Sequence, residues 1–416
     1  MTKTLHVNTA DTINNNFLIG LFNCSAIFTT VKKIFTMRIT LKATVFFMIA
    51  GLGLSQISNA QDQQYIVTTA VPFLRISPDA RAGGMGDAGI ATTPDANSSF
   101  WNLSKTPFAS GRSGLGVTFT PWLKSIAQDV YLATISGYHQ LDDNQAISGG
   151  IRYFNLGEIQ FVDFAGNNIS TSRPREFSID FGYSTKISDN LSVGVALRYI
   201  NSNLANGSFN GVTYKAGNAI AADFSLYHSG LNEDGQGLTY GLSISNLGTK
   251  IGYTNDAKSK DFIPANLGAG LAYTWVFDET SKFSLTLDAN KLLVPAAPTI
   301  TDDYATDSAN LADYRNSSIF SSWFKSFSNK ALTFSGGAEY TYNDQFSLRA
   351  GYFYEGKNQG GRRYFTAGVG VKYNVFGFNF SYLAPSGNGV TRNPLSNTLR
   401  FGVVFDLDPD AGSSGQ

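Results

Sequence analysis

The chain has 416 residues and carries equal numbers of acidic and basic side chains, 31 of each. Only 15% of residues are charged, against roughly 25% in an ordinary soluble domain, yet mean hydropathy is −0.09. Zero net charge gives no electrostatic footprint for nucleic acid, and a helical membrane protein would need several apolar runs of about 20 residues, where this chain has one, near its N-terminus.

That run follows Met37, in MRITLKATVFFMIAGLGLSQISNAQDQQ. A basic start (Arg38, Lys42), an apolar stretch (Ala43 to Leu54) and the small-x-small triplet Ser58-Asn59-Ala60 make a secretory signal peptide cleaved after Ala60. A membrane anchor is the other reading, but the run is short and a cleavage site follows it. Residues 1–36 read as an upstream extension, so 1–60 is expected to be removed. What remains has 26 basic against 30 acidic residues, a net of −4, and no cysteine, because Cys24 leaves with the leader. An exported chain without disulfides needs another source of stability.

Residues 61–110 are rich in Gly, Ala and small polar side chains and show no alternation. Placed before the first strand, they are expected to fold into a barrel mouth as a plug. Gly84 to Gly89 (GMGDAG) fits G-x-G-x-x-G, but no strand precedes it and no βαβ unit surrounds it, so dinucleotide binding is set aside. Glycines that let the backbone turn tightly in a crowded lumen are the better account.

From about residue 112 the pattern is period two. Phe177, Ile179, Phe181 and Tyr183 alternate with Ser178, Asp180, Gly182 and Ser184, and Leu399, Phe401, Val403 and Phe405 with Arg400, Gly402, Val404 and Asp406. Such runs predict strands near 112–121, 129–139, 145–154, 176–186, 191–201, 218–228, 238–246, 265–276, 282–291, 331–342, 346–355, 363–373, 376–384 and 397–407. Each has roughly the 9–11 residues that a tilted strand needs to cross a bilayer, and fourteen is an even number, as in bacterial outer-membrane barrels. Arg152, Asp180, Arg198, Asp223, Asp288, Glu339, Arg349, Lys372, Arg400 and Asp406 all fall on the Ser/Thr/Gly faces, and the opposite faces are expected to be free of charge. A midplane Arg or Lys facing lipid costs roughly 2–4 kcal/mol, which explains the partition. A soluble sandwich also alternates, but its polar face normally carries more Lys and Glu.

Connections supply a second test. Short ones (141–145, 186–190, 229–237, 277–282, 342–345, 374–375) alternate with mostly longer ones (155–175, 202–217, 247–264, 292–330, 356–362, 385–396), only the first long-side loop, 122–128, being short. All long loops then share one mouth, expected to be extracellular, and both chain ends are expected on the periplasmic side. The expected organisation is a plug (61–110), a 14-stranded antiparallel transmembrane β-barrel (111–408) and a tail (409–416), all-β and set in the outer membrane.

ARAGGMGDAGIATTPDANSSFWN (80–102) resembles the N-terminal signature of FadL-like barrels of the Bacteroidetes. Joined with TAVPFLRISPDARAGGMGD (69–87), RYFNLGEIQF (152–161), FIPANLGAGLAY (262–273) and NKLLVP (290–295), it resembles the PorV family of the type IX secretion system along essentially the whole mature chain. WNLSK (101–105) departs from the usual Trp-Asn-Pro-Ala, and the acidic, Gly/Ser-rich tail after Leu407 departs from an aromatic barrel end. The resemblance implies a non-catalytic role without cofactor. Such proteins bind the C-terminal signal domain of secreted cargo leaving the translocon barrel. They deliver it to a sortase-containing attachment complex that anchors it to lipopolysaccharide, and they bind through extracellular loops.

Catalytic chemistry finds little in the residues. His139 and His228 each sit at the end of an even-numbered strand without an obvious partner, as a Ser/His/acid site would require; lipid or O-antigen deacylation is the enzyme alternative. Asp302, Asp303, Asp307 and Asp313 in the longest loop match no EF-hand spacing, so no metal is expected. In that loop Ile319, Phe320, Trp323, Phe324 and Phe327 approximate a helical stripe. It either packs over the barrel rim or, since partner contacts favour aromatics, docks cargo. The candidate binding residues are Phe320, Trp323, Phe324 and Phe327, then Leu293 and Pro295, then Asn155, Leu156 and Phe161. The main alternative is a FadL-like passage of hydrophobic small molecules, which would need an apolar lumen pocket.

Overall fold

Period-two alternation becomes fourteen antiparallel strands: β1 Ser113–Pro121, β2 Val130–Gln140, β3 Gln145–Leu156, β4 Arg175–Ser188, β5 Leu191–Asn203, β6 Gly217–Leu231, β7 Gly237–Gly248, β8 Asn266–Val276, β9 Ser281–Leu292, β10 Leu332–Tyr342, β11 Phe346–Glu355, β12 Arg363–Tyr373, β13 Phe376–Pro385 and β14 Thr398–Asp406. The computed structural model describes residues 67–124, 127–162, 166–205, 207–209, 212–256, 260–301, 303–356, 360–386 and 397–407. The expected signal peptide, residues 61–66, Asp302 and the tail lie outside them. Each strand pairs with its sequence neighbour, and β1 pairs with β14 from Gly114↔Asp406 to Phe119↔Phe401, closing the barrel. Closure leaves no free sheet edge.

The wall is inverted relative to a water-soluble sheet. Phe181 and Leu197 are 62% exposed and Leu287 is 63% exposed, whereas Ser178, Ser184 and Ser381 on the other face are fully buried. An apolar side chain left in water forgoes roughly 1.5–3 kcal/mol, so a continuous outward band of them is a lipid-facing surface. Aromatic belts flank it. At the long-loop end Phe119, Tyr131 and Tyr153 sit in line, with centroids 5.3 and 6.3 Å apart, and Tyr352 meets Phe365 at 4.8 Å. At the short-turn end Tyr273, Trp275 and Phe283 lie 4.5 and 5.9 Å apart, and Phe376 meets Phe405 at 5.4 Å. Among the described residues no helix is long and apolar enough to cross a membrane.

One expectation about the faces needs correction. Arg175, Lys291 and Arg363 fall on the outward register. All three stand at the long-loop ends of their strands, where a charge costs only about 0–1 kcal/mol. Arg363 lies 4.7 Å above the Tyr354 ring, and Lys291 is covered by Asn329, whose backbone oxygen accepts from its amine at 2.6 Å.

Residues 67–110 thread the lumen. Val71, Phe73 and Leu74 pack with Trp122, Leu132, Phe154 and Ile251 at the long-loop mouth, and the Ala70 amide donates to Phe262 O at 2.9 Å. The chain then descends, and at the other end Gln140 Nε2 donates to Thr106 O and Ala109 O at 3.1 and 3.0 Å, just before β1. Both barrel termini therefore meet at the short-turn mouth, whereas the first described residues stand at the opposite, long-loop mouth; the chain ends themselves, expected on one side, lie outside the described residues. The wall makes room with glycine. A Cβ on Gly351 would lie 2.2 Å from the Met85 carbonyl carbon, and one on Gly337 2.4 Å from Met85 Cβ.

Candidate functional site

The plug is held by charge. Arg81 donates to Glu339 through Nη2 at 2.8 Å and Nε at 3.1 Å, and to Asp95 at 3.1 Å, while Glu339 also accepts from Arg349 at 2.5 Å. Asp87 takes the Tyr364 hydroxyl at 2.6 Å and pairs with Arg400. Asp288 accepts the amides of Gly89 and Ile90 at 2.7 and 2.9 Å. Arg75 joins Glu355 at 3.0 Å, and Glu355 also holds Arg362 at 2.7 Å. On the wall itself Asp180 lies between Arg152 and Arg198, and Arg198 reaches on to Asp223 at 2.8 Å. The ten inward charges thus have partners, seven of them buried, Asp180 half-buried between its two arginines, and Lys372 with Asp406 paired at the short-turn rim. Buried charges persist only when paired, so these pairs fix the register of plug on wall.

The long-loop mouth carries the exposed aromatic surface. The loop between β9 and β10 folds into two helices, α1 Tyr304–Asn316 and α2 Ile319–Lys325, followed by a 3-10 turn, Ser326–Ser328. α1 is capped by Asp303, whose carboxylate accepts from the Ala305 amide at 3.1 Å and the Thr306 hydroxyl at 2.5 Å. The Thr306 hydroxyl and then the Ala305 amide hold the Asp303 carboxyl below its ordinary pKa. Asp307 accepts from the Thr301 amide, so two members of the acidic run serve local structure. Among the described residues no group of three His, Cys, Asp or Glu could hold a metal ion.

In α2 the helix is seated by its serines. Ser322 and the following Ser326 are fully buried, while Phe320, Phe324 and Phe327 are 70%, 73% and 60% exposed. Ser322 Oγ donates to Ser318 O at 2.8 Å, and Ser326 Oγ donates to Trp323 O; such back-bonding consumes the hydroxyls and lets the small side chains sit close to the layer beneath. Trp323 is half-buried, with its ring 5.0 Å from that of Phe320. The expected stripe is therefore helical, but its phenylalanines point away from the packed side.

A neighbouring loop braces it. Lys250 Nζ, between β7 and β8, donates to Arg315 O at 2.6 Å in the last turn of α1 and to Ser317 O at 2.7 Å just beyond it, a C-terminal cap by a cation. The same amine lies 4.1 Å from the Phe262 ring centre, and burial pushes its pKa down. Tyr314 stands edge-on to Phe262 at 5.4 Å and donates to Pro295 O at 3.3 Å; burial raises its hydroxyl to about 12. Arg315 faces Asp261 at 3.5 Å. The motif 262–273 begins at Phe262, but no sequence pattern could join Lys250, Phe262 and Tyr314, because the two loops that carry them are far apart along the chain.

The other candidates are distributed differently. Leu293 is 6% exposed and its amide donates to Ala265 O at 2.7 Å; with half-buried Pro295 it forms the root of the loop. Asn155 donates to Asp129 O at 2.9 Å, and Leu156 packs on the apolar cluster around Phe73. Phe161 belongs to a hairpin, Ile159–Val162 with Asn168–Ser172, and its side chain lies outside the described residues. That hairpin follows β3, and β4 to β9 stand between it and the aromatic loop, so the wall places the two groups on nearly opposite sides.

The histidines also need one correction. His139 Nδ1 lies 2.7 Å from Ser113 Oγ at the exposed short-turn rim, so it has a partner. His228 stands edge-on to Tyr240 at 4.6 Å, and its Nδ1 has no hydrogen bond among the described residues.

Among solved structures, the Ralstonia pickettii toluene transporter TbuX is similar, with 12% identity, a TM-score of 0.45, and coverage of 79% of this chain and 96% of that one. So is the Pseudomonas putida toluene transporter TodX, with 13%, 0.48, and 80% and 99%. A Pseudomonas aeruginosa FadL homologue gives 12%, 0.44, and 82% and 99%. No curated protein matches the chain. The family model described as type IX secretion system protein PorV matches residues 59–299, more than half of the chain. The chain belongs to the PorV family of the type IX secretion system.

Proposed function

We propose that this outer-membrane barrel binds the C-terminal signal domain of exported cargo at its long-loop mouth, without catalysis, and passes that cargo from the translocon barrel to the sortase-containing attachment complex. The long loops would face the cell exterior, where lipopolysaccharide is the final anchor. The observation that carries this reading is the inverted α2. A helix and following turn that bury serine and expose Phe320, Phe324 and Phe327 lose stability in water unless a partner covers the rings. Lys250 and Phe262 brace the loop from the neighbouring one, through the end of α1 and Tyr314, so little ordering remains to be done on binding.

A small-molecule conduit has less support. The lumen holds the plug, clamped by Arg81–Glu339, Asp87–Arg400 and Arg75–Glu355, and a greasy passage would have to displace buried ion pairs. Deleting the gene and locating signal-bearing cargo tests the reading. Cargo should fail to attach at the cell surface while hydrocarbon uptake is unchanged. Normal attachment with impaired uptake would reverse the assignment.

A further inference from the structure

The charges on the outside of the wall are all of one sign and all at one end. Every Asp and Glu of the fourteen strands falls on the lumen-facing register, whereas three cations, Arg175, Lys291 and Arg363, fall on the outward one, each at the long-loop end of its strand. Among the described residues the short-turn ends carry no outward Lys, Arg, Asp or Glu. Lys291 is spent on Asn329. Arg175 and Arg363 make no ion pair among the described residues. Glu355, beside Tyr354, faces the lumen and is held by Arg75 and Arg362, and the loops next to Arg363, 356–362 and 386–397, contain no acidic residue.

Depth points to what these two arginines meet. The next outward residues below them are the belt aromatics Phe177 and Phe365, whose rings lie 6.2 Å from Tyr199 and 4.8 Å from Tyr352. Two residues of strand span about 6.6 Å, so each arginine stands one such step beyond the aromatic belt, at the level of lipid headgroups. Arg363 also lies 4.7 Å above the Tyr354 ring, which abuts Phe334 at 6.5 Å. Stacking on a ring face holds a guanidinium flat and leaves the N–H groups on its rim for an acceptor.

We infer that the long-loop rim binds the phosphate groups of membrane lipids, with Arg363 on Tyr354 as one contact and Arg175 as a second. Cations gathered at one boundary of a bilayer are drawn to an anionic leaflet, and guanidinium pairs with phosphate oxygens through two parallel hydrogen bonds. β4 and β12 are eight strands apart along the wall, so each arginine takes its own lipid. The contact requires only that the barrel span a bilayer; on the orientation proposed above, the leaflet is the outer one.

The test uses the full chain purified in detergent, titrated in mixed micelles at constant ionic strength with bisphosphorylated lipid A. Dephosphorylated lipid A and inorganic phosphate are the comparison probes. Saturable binding of the phosphorylated lipid is expected. Arg175→Gln/Arg363→Gln should weaken it about fivefold, the effect of one basic side chain per lipid near an anionic surface, and Lys at both positions should keep most of the affinity. Both side chains lie at the surface, so an unchanged melting temperature serves as the folding check. Equal affinity in the glutamine variant, equal binding of the dephosphorylated lipid, or inorganic phosphate held as tightly as the lipid would overturn the inference. None of these readouts depends on which way the barrel is inserted, so they stand apart from the cargo reading.

Discussion

Arg81 of the plug grips Glu339 of β10 with two hydrogen bonds, of 2.8 and 3.1 Å, across 258 residues of sequence. Arg349 binds the same carboxylate from the adjacent strand, so one acid joins plug to wall and wall to wall. Glu339→Gln should destabilise the barrel by about 3 kcal/mol, the usual cost of stranding a buried charge, and should expose the plug to protease. Denaturant titration in detergent with limited proteolysis checks this; an unchanged midpoint and a protected plug would show that the ion pair is dispensable.

Glycine at the plug–wall contact is a steric requirement. Gly351→Val places carbon where the Met85 backbone already lies, at 2.2 Å from a Cβ, and overpacking of this kind costs roughly 1–3 kcal/mol. The expected result is a lower melting temperature. Gly166, whose Cβ would meet nothing within 4 Å, has a positive φ and is a poor control for valine, so Val404→Ala on the wall serves instead.

Lys250 links two loops through the C-terminus of α1. Lys250→Ala removes both hydrogen bonds to the final carbonyls and should speed amide hydrogen exchange in 304–325 without moving exchange in the barrel. Equal protection in the variant would mean that α1 is held by other contacts, Tyr314 with Phe262 first among them.

Asp303 gives the loop a pH dependence with a definite sign. Its carboxyl is held below the ordinary value by the Thr306 hydroxyl and the Ala305 amide, so its contribution is complete above the unfolded-state value and lost as pH falls through the folded one. Fraying at the start of α1 is therefore expected only below about pH 4. Asp303→Asn, which still caps, should abolish the dependence; hydrogen exchange of Ala305 and Thr306 against pH reports it.

The barrel was legible because lipid outside and polar lumen inside impose alternation on every strand. Phe177 to Ser184 already states which side chains face which medium, and each expected run falls on one observed strand with ends moved by no more than three residues. The ends moved because hairpins such as β6–β7 continue pairing past the bilayer, to Leu231↔Gly237. Other features had no local signal. α1, YATDSANLADYRN, has no apolar face and is made by its cap and by Lys250. The plug pairs join residues hundreds of positions apart, so sequence could place Arg400 or Glu339 inside without naming Asp87 or Arg81 as partners. At α2 the aromatic spacing revealed a helix, but which face would pack was decided by Ser322 and Ser326, whose small size suits the close contact.

The claim on which the account turns is that the outward phenylalanines of α2 and the turn after it receive cargo. The direct measurement is the affinity of a purified cargo C-terminal signal domain for the detergent-solubilised chain, with Phe320, Phe324 and Phe327 all replaced by alanine in the variant. Because these rings are exposed, folding should be unchanged, whereas loss of two or more binding hot spots should weaken the complex at least about 30-fold. Wild-type affinity in a correctly folded triple variant would contradict the account.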